Sequence, residues 1–203
     1  MPDVNSKHSQ RIIEAAVELF KAHGYESVSV SDICKAAGVA RSSFYLVFAG
    51  KRDIIRRILA DANADQAGLT GSIISAKNDL ERMWVLCCRY LSISESFGPE
   101  LAGSLFGLDL MDELDIVDEV HSIDNWIVEL TKNAQTMGVI LSPEPPEVIG
   151  PLSVSAVFYT VYDWSRHKGS FCLRQRARRA AEAVLNVAPE YRWNEEQYKR
   201  AAT

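Results

Sequence analysis

Arg41, Ser42, Ser43 and Tyr45 fall within five consecutive residues of the stretch GVARSSFYLVFAGKRD, and Lys51 follows six positions after the tyrosine. These side chains suit contact with a nucleic-acid duplex. A guanidinium donates two bonds to a guanine edge or reaches a phosphate. Serines let a helix sit deep in a groove, and their hydroxyls bond bases or phosphates. Tyr45 offers a ring and a hydroxyl to the nucleic-acid backbone. Lys51 opens a helix, where unpaired main-chain N–H groups already favour an anion. A phosphate held there positions a protein without reading sequence.

Catalytic patterns do not compete with this set. The chain has no H-E-x-x-H, no G-x-S-x-G, no P-loop and no glycine-rich dinucleotide turn. We expect neither an enzyme nor a bound cofactor. Cys34, Cys87, Cys88 and Cys172 fit no zinc or C-x-x-C spacing, so reduced and mostly buried thiols are expected.

The elements that must present these residues follow from apolar spacing. Apolar residues recur at three and four along the 203-residue chain, and strand-like alternation is scarce. The fold class is therefore all-α. A first helix over 7–23 carries Ile12, Ile13, Ala16, Leu19 and Phe20 on one stripe and ends before Gly24. A second begins near Ser29, which with Asp32 has the spacing of a capping box. Gly38 and Val39 allow only a sharp turn before a third helix over 41–47. There Phe44 and Phe48 point inward and leave Arg41, Ser42, Ser43 and Tyr45 outside. A fourth starts at Lys51 and runs toward Ala67. Two short helices joined by a glycine turn form a helix-turn-helix, whose second helix enters the major groove. Short amphipathic helix pairs also occur in many all-helical proteins without that role.

Charge distribution separates the two readings. The net charge of −5 opposes nucleic-acid binding, yet residues 1–57 hold nine Lys/Arg against six Asp/Glu. The rest holds thirteen against twenty-one. A basic front on an acidic body suggests a separate nucleic-acid module.

With RIIEAAVELF at 11–20, GYESVSVSDI at 24–33, AAGVARSSFYLVF at 36–48 and GKRDII at 50–55, the N-terminal quarter resembles the TetR family of bacterial transcriptional regulators. The resemblance implies a three-helix DNA-binding head and a helical body of about nine helices in all. It implies DNA contacts by Ser29, Arg41, Ser42, Ser43, Tyr45 and Lys51, with Gly38 as the turn glycine. It also implies a homodimer that represses from a palindromic operator and is released by a small apolar or aromatic effector. Ala40 departs from the family, which usually has a capping Ser or Thr there. That loss should cost about 1 kcal/mol. With the acidic balance, it leaves open a small-molecule sensor or carrier that has lost DNA binding.

The expected domains are 1–50, the helix-turn-helix, and 51–203, a ligand-binding and dimerisation body. In that body we expect helices over 73–96, 99–114, 116–138, 147–168 and 171–188. Trp84, Cys88, Phe106, Trp126, Tyr159 and Tyr162 are the candidate ligand contacts; each could equally be plain core. Asp118, His121 and Asp124 share a helical spacing that suits a divalent cation, but such acidic runs are ordinarily solvated faces, so no metal is expected. Ala177, Ala180, Ala181, Val184 and Leu185 form an apolar face suited to a twofold four-helix interface or to packing within one chain. Arg174, Arg176, Arg178 and Arg179 read as its solvated side. No apolar run approaches the roughly 18 to 20 residues of a membrane span, and the polar start MPDVNSKHSQ has no leader pattern. A cytoplasmic protein without membrane contact is the expectation.

Overall fold

The computed structural model describes residues 4–63, 66–110 and 117–200, with side chains over 7–61, 68–107 and 125–200. The described residues form eleven α-helices and one 3-10 turn, with no strand among them. The chain divides into two compact units, Met1–Asp65 and Gln66–Thr203. No helix among the described residues is long and apolar enough to cross a membrane.

The first unit holds α1 (Val4–His23), α2 (Val30–Ala37), α3 (Arg41–Tyr45) and α4 (Lys51–Asn63). Ile12, Ala16 and Phe20 recur every four residues on α1 and are wholly buried. Ile33, Cys34 and Ala37 of α2, Phe44 of α3 and Ile54 and Ile55 of α4 are buried in the interior too, and α1 packs against all three of these helices. Because Ile54 and Ile55 belong to that interior, α4 goes with the head, and the division between units follows it. The Ser29–Asp32 box is present: the Ser29 hydroxyl accepts from Asp32 N–H, and the Asp32 carboxylate accepts from Ser29 N–H. Hydrogen bonds from the Ser29 hydroxyl and then its N–H hold the Asp32 carboxyl below the ordinary carboxylate range.

Gly38 closes α2 in the left-handed region, at φ 64°. Val39 N–H donates to Cys34 O at 3.0 Å, so the chain reverses within two residues. The Arg11 guanidinium donates to Ala37 O across this turn. A Cβ at Gly38 would lie 2.9 Å from Arg11 Nη2, which the flexible arginine could relieve by shifting; it is the positive φ that favours glycine.

The second unit holds α5 (Gln66–Ser75), α6 (Asp79–Phe97), α7 (Pro99–Leu110), α8 (Val117–Thr136), α9 (Pro146–Arg166) and α10 (Leu173–Val184). A 3-10 turn (Pro189–Tyr191) and α11 (Glu195–Arg200) complete it. The central helix is α9, which packs against α7, α8 and α10. One core gathers Trp84, Leu91, Val157, Val161 and Trp164; another gathers Leu80, Met83, Ile127, Ile149 and Leu185. Two crossings are tight. A Cβ at Gly103 of α7 would lie 1.9 Å from Ser165 Oγ of α9, and one at Gly150 of α9 would lie 2.7 Å from Thr131 Oγ1 of α8.

Two expectations change. The single helix over 73–96 is two, because the Asn78 side chain caps α6 by accepting from Glu81 N–H at 2.9 Å. With α11, this gives eleven helices rather than about nine. Arg178 is not on a solvated side: its side chain is 1% exposed. Along the apolar face of α10, Ala177, Ala181 and Leu185 are buried within the chain and Ala180 and Val184 are half-buried, and α10 packs mainly against α9.

Candidate nucleic-acid interface

Phe44 and Phe48, four residues apart with ring centroids 5.9 Å apart, anchor the inner side of α3. Helical geometry then turns Arg41, Ser42 and Tyr45 outward, and all three are exposed; Ser43 is half-buried. The Arg41 guanidinium makes no hydrogen bond or ion pair among the described residues. Ala40 occupies the N-cap of α3 in extended backbone and supplies no side-chain bond, so the missing cap read from the sequence is real.

Ser29 is exposed at the start of α2. Lys51 is half-buried at the start of α4. Its ammonium donates to Tyr25 O at 2.8 Å and stands 4.5 Å from the centre of the Tyr25 ring. Lys51 thus ties α4 to the turn between α1 and α2. Asp53 accepts from Ala49 N–H at 2.7 Å and closes the turn that follows α3. Both loops beside α3 are therefore held by side chains of other helices. Burial raises the Cys34 thiol above its ordinary value, and nearby Arg41 opposes the rise.

The six candidate ligand contacts of the body lie in three places. Trp126 is exposed and lines a cleft of about 220 Å³ with Ile73, Arg82, Leu86, Glu129 and Leu130. Phe106 stacks on Tyr162 at 5.4 Å, and Tyr162 meets Tyr159 at 5.8 Å. Trp84 is buried with its ring edge-on to Trp193 at 5.4 Å. Cys88 packs on the same core as Trp84. Burial pushes the Cys87 thiol up to about 12 and that of Cys88 to about 11. Neither is a ready thiolate at neutral pH. Asp118, His121 and Asp124 lie outside the described side chains. No cluster that could hold a metal occurs among the described residues.

The sequence reading missed a buried polar assembly. Arg178 lies between Trp84 and Trp193, 5.2 and 5.0 Å from their rings. It donates to Glu182 Oε1 and to Glu81 Oε1, each at 2.7 Å. Glu182 also accepts from Trp193 N–H at 3.0 Å and from the Tyr198 hydroxyl at 2.7 Å. The assembly pins the C-terminal turn and α11 to α10 and α6. The four-residue spacing of Arg178 and Glu182 was a usable signal. Their burial was not readable from it.

Comparison with known proteins bears on both units. Residues 12–58 match the model of the bacterial regulatory proteins, tetR family. Over 58 residues the chain is 40% identical to the uncharacterized HTH-type transcriptional regulator YvdT of Bacillus subtilis (strain 168), covering 29% of this chain and 30% of that protein. The chain spans less than a third of the length of that curated relative. The structure of the fatty acid degradation regulator FadR from Bacillus halodurans is similar with a TM-score of 0.64 at 21% identity, over 88% of this chain and 94% of that one. FadR from Bacillus subtilis in complex with stearoyl-CoA gives a TM-score of 0.62 at 20% identity, over 87% and 97%. At these identities the likeness is one of fold.

Proposed function

We propose that this chain, whose residues 12–58 belong to the tetR family of bacterial regulatory proteins, is a ligand-responsive transcriptional repressor acting as a homodimer. The observation that carries the reading is the division of α3. Its phenylalanines are buried, while Arg41, Ser42 and Tyr45 stand clear of the fold. In this reading Arg41, Ser42 and Ser43 meet base edges in the major groove, and Ser29, Tyr45 and Lys51 meet phosphates. Lys51 has one N–H beyond the two turned to the Tyr25 and Glu26 carbonyls.

A second copy supplies the second half-site. On α9, Val148, Leu152, Ser155 and Tyr159 recur at four, three and four residues and are all exposed. Such a row supports a twofold contact between copies. Two heads about 34 to 36 Å apart would then read a palindromic operator. FadR from Bacillus subtilis holds stearoyl-CoA. That supports an apolar or aromatic effector here, in the cleft lined by Trp126 or near the Phe106, Tyr159 and Tyr162 rings. Trp84 and Cys88 would back such a site from the core. An effector that binds better to the DNA-free arrangement lowers occupancy by its differential affinity and no more.

Ala40 and the sequence pI of about 5.4 favour a second reading, a small-molecule sensor or carrier without DNA binding. A salt titration on duplexes enriched by the purified protein separates the two. A regulator shows log K falling linearly with log[salt], and Lys51→Met makes the slope shallower by about 0.9, the share of one neutralised phosphate. A flat response, or no enriched duplex, selects the carrier.

A further inference from the structure

The large apolar side chains of the head are for the most part buried or half-buried. Among its described residues, the exposed ones are Tyr45 and Leu46, at 51% and 79%. They are adjacent, and both lie on the face that α3 turns outward. Tyr45 has a hydroxyl to offer. Leu46 has only methyl groups.

The direction of Leu46 follows from the backbone. It is the C-cap of α3, with right-handed helical angles of φ −74° and ψ −19°. Its N–H donates to Ser42 O at 3.2 Å, so the helical turn carries through it. At about 100° per residue, Leu46 falls one turn beyond Ser42 and nearly opposite the buried pair Phe44 and Phe48. It therefore crowns the surface that Ser42 and Tyr45 share. A single exposed leucine on an ordinary surface needs no explanation. This one stands on the face that would enter a groove, whereas the head's other leucines, Leu19 and Leu59, are half-buried.

The partners available in a major groove are few. Base edges there present hydrogen-bond donors and acceptors, which gain nothing from a leucine. The exception is the 5-methyl group of thymine. We propose that Leu46 is a specificity-determining residue that packs on a thymine methyl, selecting T·A at one position of each half-site. The proposal rests on the DNA-binding reading of α3 given above. Leu46 supplies shape and apolar contact at that position, and Arg41 and the serines supply the hydrogen bonds.

The test changes the DNA by one methyl group at a time. Duplexes are enriched from a random library with the full-length protein, and each thymine of the enriched half-site is replaced by deoxyuridine. Uracil keeps every hydrogen-bonding atom of thymine and lacks only the methyl. One replacement should weaken binding about three- to fivefold, the effect of removing one buried methyl. Leu46→Ala should bind the parent duplex more weakly by a similar factor and should no longer distinguish thymine from uracil there. The inference is overturned if every uracil is tolerated, or if Leu46→Ala retains the full discrimination. Either result leaves DNA binding itself intact. A library from which nothing is enriched removes the DNA reading and this inference together.

Discussion

In the head, Arg11 and Lys51 each cross the fold to donate to a main-chain carbonyl, at Ala37 and Tyr25. In α10, by contrast, four arginines all face carboxylates. Arg174 meets Glu95, Arg176 meets Asp163, Arg178 meets Glu81 and Glu182, and Arg179 comes within 3.8 Å of Glu195. A carbonyl is a neutral partner: it fixes the geometry and leaves the positive charge in place. A carboxylate fixes the geometry and cancels the field. The head does contain ion pairs, Arg56–Asp53 and Arg57–Asp61, but these lie along α4. The cations nearest the proposed interface keep their charge, whereas the denser arginine run of α10 is matched by acids. Local counts of Lys and Arg thus mislead unless their partners are known.

Removing cations from the two regions should have opposite signatures. The largest effect is expected at Arg178→Ala, which strands the buried Glu182 carboxylate. Unfolding in urea should show a loss of about 3 to 5 kcal/mol. The double variant Arg178→Met/Glu182→Leu should recover part of it, since the buried carboxylate is gone, while Glu81 loses its partner and Trp193 N–H and the Tyr198 hydroxyl lose their acceptor. A loss below about 1 kcal/mol would mean that water relieves Glu182, contrary to its burial. Arg41→Ala should do the reverse. Its urea midpoint should stay within error, while affinity for an enriched duplex falls roughly ten- to a hundredfold, as when a bidentate bond to a base edge is removed. Unchanged affinity would take Arg41 out of the interface.

A smaller change should come from restoring what α3 lacks. Ala40 has the extended angles of an N-cap, φ −71° and ψ 150°, so Ala40→Ser can cap the helix without moving it. A gain of about 1 kcal/mol in thermal or urea unfolding is expected. No gain would show that the Ala40 position cannot present its side chain to the free N–H groups. The subtlest effect concerns Tyr198. Burial first, and then its bond to Glu182, raise its phenol above the ordinary value. Above about pH 10 the unfolded chain releases this proton while the folded chain keeps it, so stability falls as pH rises. Tyr198→Phe should flatten that part of a urea-midpoint profile. An unaltered profile would assign the pH dependence elsewhere.

What could be read from the sequence was local. Phe44 and Phe48 at spacing four, Gly38 at the turn and the Ser29–Asp32 box each declare themselves within a few residues, whereas the Arg11 bond that holds the turn before α3 reaches across the fold. The Asn78–Glu81 cap is equally local, yet it sits inside a stretch that reads as one helix. Arg178 is a different case. Its neighbours Glu81 and Trp193 come from other elements, Glu81 from 97 residues away. An arginine run on an amphipathic helix reads as solvated until the third dimension supplies the acid. Trp84, Trp126 and Tyr162 could be recognised as aromatic, yet their spacing carries nothing about which helices bring rings together. Their separation into a core, an open cleft and a stacked row is a product of packing.

The crossing of α7 and α9 at Gly103 has a mechanical corollary. Ser165 occupies the room where any side chain at that position would begin, so the two helices meet there without slack. A rod pressed that closely against another cannot slide alone. Gly103→Ala would act as a wedge, forcing α7 and α9 apart where Ser165 now fills the gap.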